Sequence, residues 1–454
     1  MKHEPDTELE THVPTDLLGF TRMARANPKM RFTSLLGMVW RKEGLLASFK
    51  RQPGGKAPGV DGIGKKEYQE GFEDRLGDLS ARLRRLAYRP KPSRRVMIPK
   101  MDGRYRPLGI PSFEDRIVQD RMSSIMQAIW EPEFWDCSYG FRPGRSAHDA
   151  LRQVAKVITN ERTQWVVEVD IKGFFDNVDH EILMKFVGHR IADPGFLRLI
   201  RRFLKAGAVE DGIYSATTQG TPQGGLVSPV LANIYLHYVL DWWFECRFSK
   251  SCRKGAHLIR YADDFIGCFH NEQDANRFVV ELRTRLAEFG LEVSEEKTAI
   301  HRFGSQGLND KGARPSIFNF LGFTHYVTKS RSGRFMVGRR TERKRFSKKL
   351  KEVKMKLRLL RLAGGRAMID YARQHLRGHI QYYGVSGNFP MLHMYVYRVG
   401  LCLMKWLNRR SQKRSMTWDK YSKLLRSGLL PTARIVHNLY PKPAWMTQAG
   451  SRVR

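Results

Sequence analysis

Two adjacent acids interrupt an apolar stretch of the chain: Asp263 and Asp264, in the run Tyr261-Ala262-Asp263-Asp264-Phe265. Hydrophobic residues flank this run on both sides, so the pattern predicts a buried strand. Two like charges beside a hydrophobic core are unfavourable unless a multivalent cation neutralises them. The pair therefore predicts a metal site, and a solvent-exposed hairpin turn is the alternative.

A third carboxylate, Asp170, ends the run Trp165-Val166-Val167-Glu168-Val169-Asp170, which predicts a second buried strand. If the two strands are neighbours in one sheet, Asp170, Asp263 and Asp264 converge and can bind two magnesium ions. Two such ions would activate a hydroxyl nucleophile and stabilise the leaving group of a phosphoryl transfer. Taken alone, Asp170 is equally consistent with a helix cap or a salt bridge.

The charge of the chain indicates a polyanionic partner. Its 454 residues include 80 Lys and Arg against 45 Asp and Glu, a formal charge of +35. Residues 331–454 contain 30 of these cations and only four acids. Aromatic residues alternate with the cations there: Phe335, Phe346, Tyr371, Tyr382, Tyr383, Tyr395, Tyr397, Trp406 and Trp418. This mixture suits phosphate contacts and base stacking, whereas a solvated basic helix surface is the alternative.

Hydrophobic periodicity and turn residues predict a mixed, α+β chain. The predicted strands are 96–99 and 105–110, joined by a turn at Asp102-Gly103, then 165–171, 318–326 and 335–337. Residues 16–50 are predicted to be mostly helical. The other predicted helices are 68–86, 119–130, 180–190, 228–248 and 272–289, with a helical, basic pattern beyond residue 341. Ser228-Pro229 is typical of a helix start, with the serine hydroxyl as the cap.

Further sequence blocks surround the acids in a specific order and spacing. They are Ile98-Pro99-Lys100, Arg106-Pro107-Leu108-Gly109-Ile110-Pro111, Tyr139-Gly140-Phe141-Arg142-Pro143-Gly144-Arg145-Ser146, Phe174-Phe175-Asp176-Asn177-Val178-Asp179-His180, Gln219-Gly220-Thr221-Pro222-Gln223-Gly224-Gly225-Leu226-Val227-Ser228-Pro229, Leu291-Glu292-Val293-Ser294-Glu295-Glu296-Lys297-Thr298, Phe320-Leu321-Gly322-Phe323 and Leu376-Arg377-Gly378-His379-Ile380-Gln381-Tyr382-Tyr383-Gly384. With them, the chain from about residue 35 to residue 438 resembles the reverse transcriptases that group II introns encode.

The resemblance implies a right-hand polymerase of class α+β. Fingers and palm would be antiparallel sheet plus helices, followed by a helical thumb or maturase domain and a basic C-terminal region. We expect a polar tail at 1–15, an N-terminal extension and fingers at 16–165, a palm with the catalytic aspartates at 166–330, the thumb at 331–410, and a DNA-binding region at 411–454.

The resemblance also implies roles for individual residues. Asp170, Asp263 and Asp264 correspond to the catalytic, metal-binding carboxylates. Lys100 and Arg106 correspond to residues that grip the incoming triphosphate, as two cations facing a polyanion should. A surface Lys–Arg pair is the alternative.

Three further positions correspond to nucleotide-binding residues. Phe175 would exclude a ribose 2′-hydroxyl and so select deoxynucleotides; a core phenylalanine is the alternative. Gln223 lies in a Pro-Gln-Gly-Gly loop, whose glycines allow the backbone to approach a nucleotide closely. Lys297 would lie near the leaving pyrophosphate. Phe320, Leu321, Gly322 and Phe323 correspond to the primer grip, with a plain edge strand as the alternative.

The expected function is that of an RNA-directed DNA polymerase and maturase, which binds intron RNA, assists splicing and copies the RNA after its insertion into DNA. The expected partners are group II intron RNA, target DNA and deoxynucleoside triphosphates. Two alternatives stay open: an RNA-binding splicing factor with an unused polymerase site, or a domesticated reverse transcriptase for defence or repair.

The cellular setting is predicted from what the sequence contains. The five cysteines form no close pair of the zinc or redox type, which favours a reducing compartment. The polar N-terminus is unlike a secretory signal, and no apolar run approaches membrane-spanning length. We therefore expect a bacterial cytoplasmic ribonucleoprotein with no membrane partner. No Cys follows Cys402, so we expect no Cys/His-rich HNH endonuclease domain.

Overall fold

A computed structural model describes residues 13–99, 105–160, 163–222, 224–305, 316–330, 333–409 and 416–440. Lys100 and Gln223, two of the predicted nucleotide-binding residues, and the predicted turn at Asp102-Gly103 lie outside these ranges. The chain divides into two compact units. The first contains Met1–Ala147, Val169–Gly267 and Asn276–Thr298, and the second contains His148–Glu168, Cys268–Ala275 and Ala299–Arg454. The finer division into fingers, palm, thumb and C-terminal region stays a prediction.

The α-helices are α1 Leu18–Ala26, α2 Leu36–Trp40, α3 Lys42–Arg51, α4 Lys65–Gln69, α5 Phe72–Arg84, α6 Phe113–Trp130, α7 Ala147–Asn160, α8 Phe174–Asn177, α9 His180–Gly188, α10 Pro194–Leu204, α11 Ser228–Leu236, α12 Glu272–Ala287, α13 Arg343–Leu360, α14 Gly365–Tyr383, α15 Phe389–Asn408 and α16 Trp418–Arg426. The strands are β1 Ser93–Pro99, β2 Tyr105–Ile110, β3 Trp165–Asp170, β4 Ala208–Glu210, β5 Ile213–Ser215, β6 Ala256–Tyr261, β7 Asp264–Phe269, β8 Ala299–Arg302, β9 Phe318–Phe320, β10 Phe323–Lys329 and β11 Phe335–Thr341. The predicted α+β class is confirmed.

The first unit contains a four-stranded sheet with the order β2-β1-β4-β5. Strand β1 pairs antiparallel with β2, as the sequence predicted, but parallel with β4, where Ser93 is opposite Ala208. The predicted antiparallel pairing is thus present between β1 and β2, and β4 adds a parallel neighbour that the sequence did not predict. A parallel partner needs a long crossover, and helices α6 to α10 lie between the two strands in the chain.

A second four-stranded sheet has the order β6-β7-β3-β8, so β3 and β7 are neighbours. Val166, Val167 and Val169 of β3 are fully buried, which explains the apolar run that predicted this strand. The backbone N–H of Gln164, just before β3, donates to the carbonyl of Phe269 at the end of β7 (2.9 Å). Strands β3 and β7 therefore run in opposite directions, and the last residue of β3 lies level with the first residues of β7.

In the first unit, α11 continues as π-helix over His237–Asp241 and Phe244–Phe248 and ends with a short α-helix at Ser249–Ser251. The sequence predicted one regular helix from 228 to 248. The predicted cap is also wrong, because Ser228 is the first helical residue and its hydroxyl donates to the Pro222 carbonyl (2.9 Å). Pro229 lies in the first turn, as expected.

The second unit contains the antiparallel sheet β11-β10-β9 and the helices α13, α14 and α15, which pack on one another. Helix α13 buries Phe346, Val353 and Leu357 on one face. It also carries nine Lys and Arg and a single acid, Glu352. Among the described residues, no helix is long and apolar enough to cross a membrane.

Candidate active site

The two adjacent acids lie at a tight turn between β6 and β7. Ala262 and Asp263 form the turn, and Asp264 is the first residue of β7. Ala262 has a left-handed backbone, with φ of 60°. The sequence predicted a strand here, with a solvated hairpin turn as the alternative. The structure combines the two, since the turn forms but Asp263 is partly buried.

Asp170 ends β3 beside this turn, because β3 and β7 are antiparallel neighbours. Burial raises the pKa of the Asp263 carboxyl, and the negative charge of Asp170 raises it further. The positive charges of Lys297 and Arg260 act in the opposite direction. Two of the three predicted catalytic carboxylates, Asp170 and Asp263, are thus close enough for their charges to interact.

Lys297 forms an ion pair with Asp170, with its Nζ 2.7 Å from Oδ2. It belongs to a short 3-10 helix, Glu295–Lys297, which is fixed by a hydrogen bond from the Ser294 N–H to the Asp170 carbonyl (2.8 Å). A residue 127 positions away in the sequence therefore joins the acids at the end of β3.

Phe175 lies in α8, a single helical turn after β3, and its ring packs at 5.3 Å from the ring of Phe174. Phe174 is buried, but Phe175 is only partly so and lines a cavity of about 240 Å³ together with residues of the 216–222 loop. Thr221 donates its N–H to the Phe175 carbonyl (2.7 Å), and Gly220 is so close that a Cβ there would lie 2.8 Å from that oxygen. The loop that leads to Gln223 is thus held on α8.

The same loop approaches β2, which carries Arg106. Arg106 is exposed and lies opposite Ile98 of β1. A Cβ on Gly224 would lie 2.2 Å from the Gly109 carbonyl oxygen of β2, and Gly224 has φ of 110°. The sequence predicted that this glycine allows close approach to a nucleotide. The close approach in the structure is to the backbone of β2.

In the second unit, the predicted primer-grip residues form the β9–β10 turn. Phe320 ends β9, Phe323 begins β10, and the two are paired. Leu321 and Gly322 have left-handed backbones with φ of 50° and 80°. The Tyr382 hydroxyl donates to the Leu321 carbonyl (2.9 Å). The predicted continuous strand over 318–326 is therefore interrupted by a turn.

Residues 98–325 match the family described as reverse transcriptase (RNA-dependent DNA polymerase). This match covers half of the chain. The chain belongs to the reverse transcriptase family. The predicted resemblance is confirmed, because several curated relatives of this reverse transcriptase carry names of intron-encoded proteins.

Three relatives illustrate this likeness. Protein YkfC of Escherichia coli is 40% identical over 237 residues, which are 51% of this chain and 62% of that protein. The group II intron-encoded protein LtrA of Lactococcus lactis is 40% identical over 208 residues, 45% of this chain and 34% of that protein. The putative COX1/OXI3 intron 1 protein of Saccharomyces cerevisiae is 29% identical over 360 residues, 66% of this chain and 42% of that protein. This reverse transcriptase thus spans less than two thirds of the length of each.

A solved telomerase structure from Candida albicans, in complex with a fragment of telomeric RNA, has a TM-score of 0.41 with this reverse transcriptase. The identity is 12%, over 80% of this chain and 65% of that chain. A likeness at this level carries no argument about function.

Reverse transcriptases use divalent metal ions, and carboxylate oxygens are the ligands that hard cations prefer. In the part of the chain that the structure describes, no three His, Cys, Asp or Glu side chains form a ready-made metal site. The negative charges of Asp170 and Asp263 nevertheless repel each other, and a cation bound by both carboxylates would relieve that repulsion. Asp264 stays a predicted ligand.

Proposed function

We propose that this reverse transcriptase is an RNA-directed DNA polymerase and the maturase of a group II intron, which binds the intron RNA and copies it into DNA. The observation that carries the proposal is the pair Asp170 and Asp263 at one edge of the β3–β7 sheet, beside Lys297, in a chain of this family. A partly buried pair of like charges is kept where a cation has to be bound.

Each of the predicted site residues below has a role in the proposal. Asp170, Asp263 and Asp264 would hold two Mg²⁺ ions, which lower the pKa of the primer hydroxyl and neutralise charge on the phosphates. Lys297 neutralises Asp170 before the ions bind. Arg106 and Lys100 attract the triphosphate of the incoming deoxynucleotide, and Gln223 contacts that nucleotide.

The maturase part rests on the basic second unit. Helix α13 exposes Lys351 and Lys354 outside its buried stripe. A cationic helical surface of this kind binds structured RNA through its phosphates and needs no catalytic residue. Intron RNA and target DNA are the proposed partners, in a cytoplasmic ribonucleoprotein. The name of the LtrA relative supports the choice of a group II intron.

The test is primer extension on an RNA template with Asp263→Asn. We expect extension to fall by at least about 10³-fold, because a ligand of the catalytic ions loses its charge. The dissociation constant for intron RNA should change less than about twofold, because the basic surface is intact. Asp78→Asn, at an exposed acid paired with Arg82 on α5, is the matched control and should retain full extension.

Two results would contradict the polymerase proposal. One is full extension by Asp263→Asn. The other is a wild-type protein that binds intron RNA tightly but adds no deoxynucleotide to a primer. The second result would favour the alternative of an RNA-binding splicing factor.

A further inference from the structure

A fully buried arginine lies two residues before the Ala262–Asp263 turn. Arg260 and the acid with which it pairs, Asp241, both have side chains that are 0% exposed. An arginine has five N–H donors, and here all five are used. Its Nε donates to Asp241 Oδ1, and its Nη2 donates one N–H to Asp241 Oδ2 and the other to the Ser138 hydroxyl (2.8 Å). Its Nη1 donates to the Asn233 side-chain oxygen (3.0 Å) and to the Ala262 carbonyl (3.0 Å).

The acceptors come from three separate segments of the first unit: one long helix, the loop before α7 and the Ala262–Asp263 turn. Asp241 is the last residue of the first π-helical segment, and Asn233 lies about two turns earlier, on α11. A π segment adds a residue to the turn and so changes the face to which a side chain points. That change allows Asn233 and Asp241 to reach the same guanidinium. Ser138 comes from the loop before α7.

The same loop supports the turn directly. Tyr139 donates its N–H to the Arg260 carbonyl (2.8 Å), and Arg260 donates its N–H to the Cys137 carbonyl (2.7 Å). Gly140 is so close to the turn that a Cβ on it would lie 2.4 Å from the Ala262 nitrogen. Asn233 holds this glycine through its Nδ2, which donates to the Gly140 carbonyl (2.8 Å).

The Ala262–Asp263 turn, which these contacts hold in place, has a strained backbone. Ala262 has φ of 60°, which costs a residue other than glycine roughly 1–2 kcal/mol and persists only when the surroundings impose it. The imposed backbone determines where the next side chain, that of Asp263, points. Arg260 holds the Ala262 carbonyl by a hydrogen bond, and the backbone of Gly140 packs closely against the Ala262 nitrogen.

We propose that Arg260 is a positioning residue for the polymerase site, because its guanidinium holds the Ala262 carbonyl and thereby fixes the Asp263 carboxylate for binding a divalent cation. The inference deepens the proposed function and rests on it. A buried ion pair is in itself weak evidence for stability, since apolar residues often serve as well. Here one of the five bonds of the guanidinium goes to the strained turn, which an apolar residue could not hold.

The experiment uses Arg260→Lys in the full chain. Lysine keeps the positive charge beside Asp241, but its compact ammonium cannot reach Ser138, Asn233 and the Ala262 carbonyl at once. We expect kcat for deoxynucleotide addition to fall by about 10–100-fold, as for a misplacement of about 1 Å, with KM changed less than about twofold. Affinity for Mn²⁺, measured by electron paramagnetic resonance without nucleotide or primer, should fall by about tenfold.

The matched control is Arg190→Lys. Arg190 is also a buried arginine, with its side chain 2% exposed, and it pairs with Glu133 at 2.7 Å. Its other bonds go to the carbonyls of Pro28, Ala24 and Asn27, far along the chain from the turn. Its variant should lose a similar amount of thermal stability but keep wild-type kcat and Mn²⁺ affinity. Both variants are compared at the same interval below their own Tm.

A second variant keeps the test valid if Arg260→Lys does not fold. Ser138→Ala removes one acceptor of the guanidinium, and we expect a smaller fall in kcat and Mn²⁺ affinity in the same direction. The inference is overturned if the variants at Arg260 and Ser138 lose thermal stability but keep wild-type kcat and Mn²⁺ affinity, which is the result expected of Arg190→Lys. If the wild-type protein extends no primer, the proposed function fails, and the Mn²⁺ measurement still tests the role of Arg260.

Discussion

Lys297 places a positive charge beside two carboxylates that would otherwise repel each other. Its pair with Asp170 is partly exposed, with side chains 56% and 33% accessible. Exposed pairs of this kind contribute only about 0–1 kcal/mol to stability. In the proposed mechanism a divalent cation, which can interact with Asp170 and Asp263 together, therefore replaces this pair at little cost. The ammonium would then be available to a phosphate group.

Phe175 is the residue on which we base a prediction of sugar selectivity. Its neighbour Phe174 is core, but Phe175 lines the cavity beside the 216–222 loop. Phe175→Ala should raise the ratio of ribonucleotide to deoxynucleotide incorporation by at least about tenfold, because a ring that clashes with a 2′-hydroxyl is removed. Competitive incorporation on an RNA template measures this ratio. An unchanged ratio, with normal deoxynucleotide addition, would leave Phe175 as a packing residue.

The sequence predicted the neighbourhood of Asp170 and Asp263 because both acids end or interrupt apolar runs of the strand type. It missed Arg260, although an arginine inside the apolar run Leu258-Ile259 is the same kind of signal. A charge in such a run needs a buried partner. That partner, Asp241, is 19 residues earlier in the chain. The hydrophobic periodicity of an α-helix cannot reveal this partner, because Asp241 lies in a π-helical segment, whose period differs.

At the scale of elements, a helix or strand is predicted correctly where one hydrophobic pattern determines it, and incorrectly where two patterns compete. Strand β3 was predicted within one residue, since four of its six side chains are apolar. The stretch 16–50, predicted to be mostly helical, contains the three separate helices α1, α2 and α3, and the breaks between them were not predicted. Strand β4 was not predicted, because three residues are too few for alternation to be visible and its pairing with β1 is a tertiary contact.

The start of α6 carries a carboxyl that links stability to pH. Asp115 is 2% exposed, and it accepts hydrogen bonds from the Tyr88 hydroxyl and from the Lys91 N–H (3.1 Å). Burial outweighs these bonds and raises the pKa of Asp115 from 3.8 to about 7. Between those values the folded chain binds more protons than the unfolded chain. Stability from this group is therefore present at low pH and is lost as pH rises through about 7.

Asp115→Asn should flatten this dependence. In the wild type we expect the free energy of unfolding to decrease by up to about 1.4 kcal/mol per pH unit between about pH 5 and 7 from this group. Thermal or denaturant unfolding at several pH values measures the slope. Part of the slope should persist, because burial also raises the pKa of Glu245 to about 7. Asp120→Asn, at an acid of α6 paired with Arg51, is the control, and an equal effect from it would contradict the assignment.

At the scale of the whole molecule, the charge of +35 governs association with nucleic acid. Each cation that contacts a phosphate releases a counterion, so affinity for intron RNA should fall by about 10³-fold or more between 50 and 200 mM salt. Lys351→Gln with Lys354→Gln on α13 should reduce the slope of log Kd against log salt by about two. Filter binding over a salt series tests both expectations. A flat response would mean that the excess charge has no part in RNA binding.

The ion pair of Lys297 with Asp170 also has a consequence for biosynthesis. These partners are 127 residues apart, so a growing polypeptide that has emerged from the ribosome only as far as residue 290 has its acids but lacks their lysine. With the role proposed for Lys297, such a nascent chain cannot complete the site, however well its earlier parts have folded. Copying of any RNA, including the messenger being translated, then has to wait until residue 297 has emerged from the ribosome.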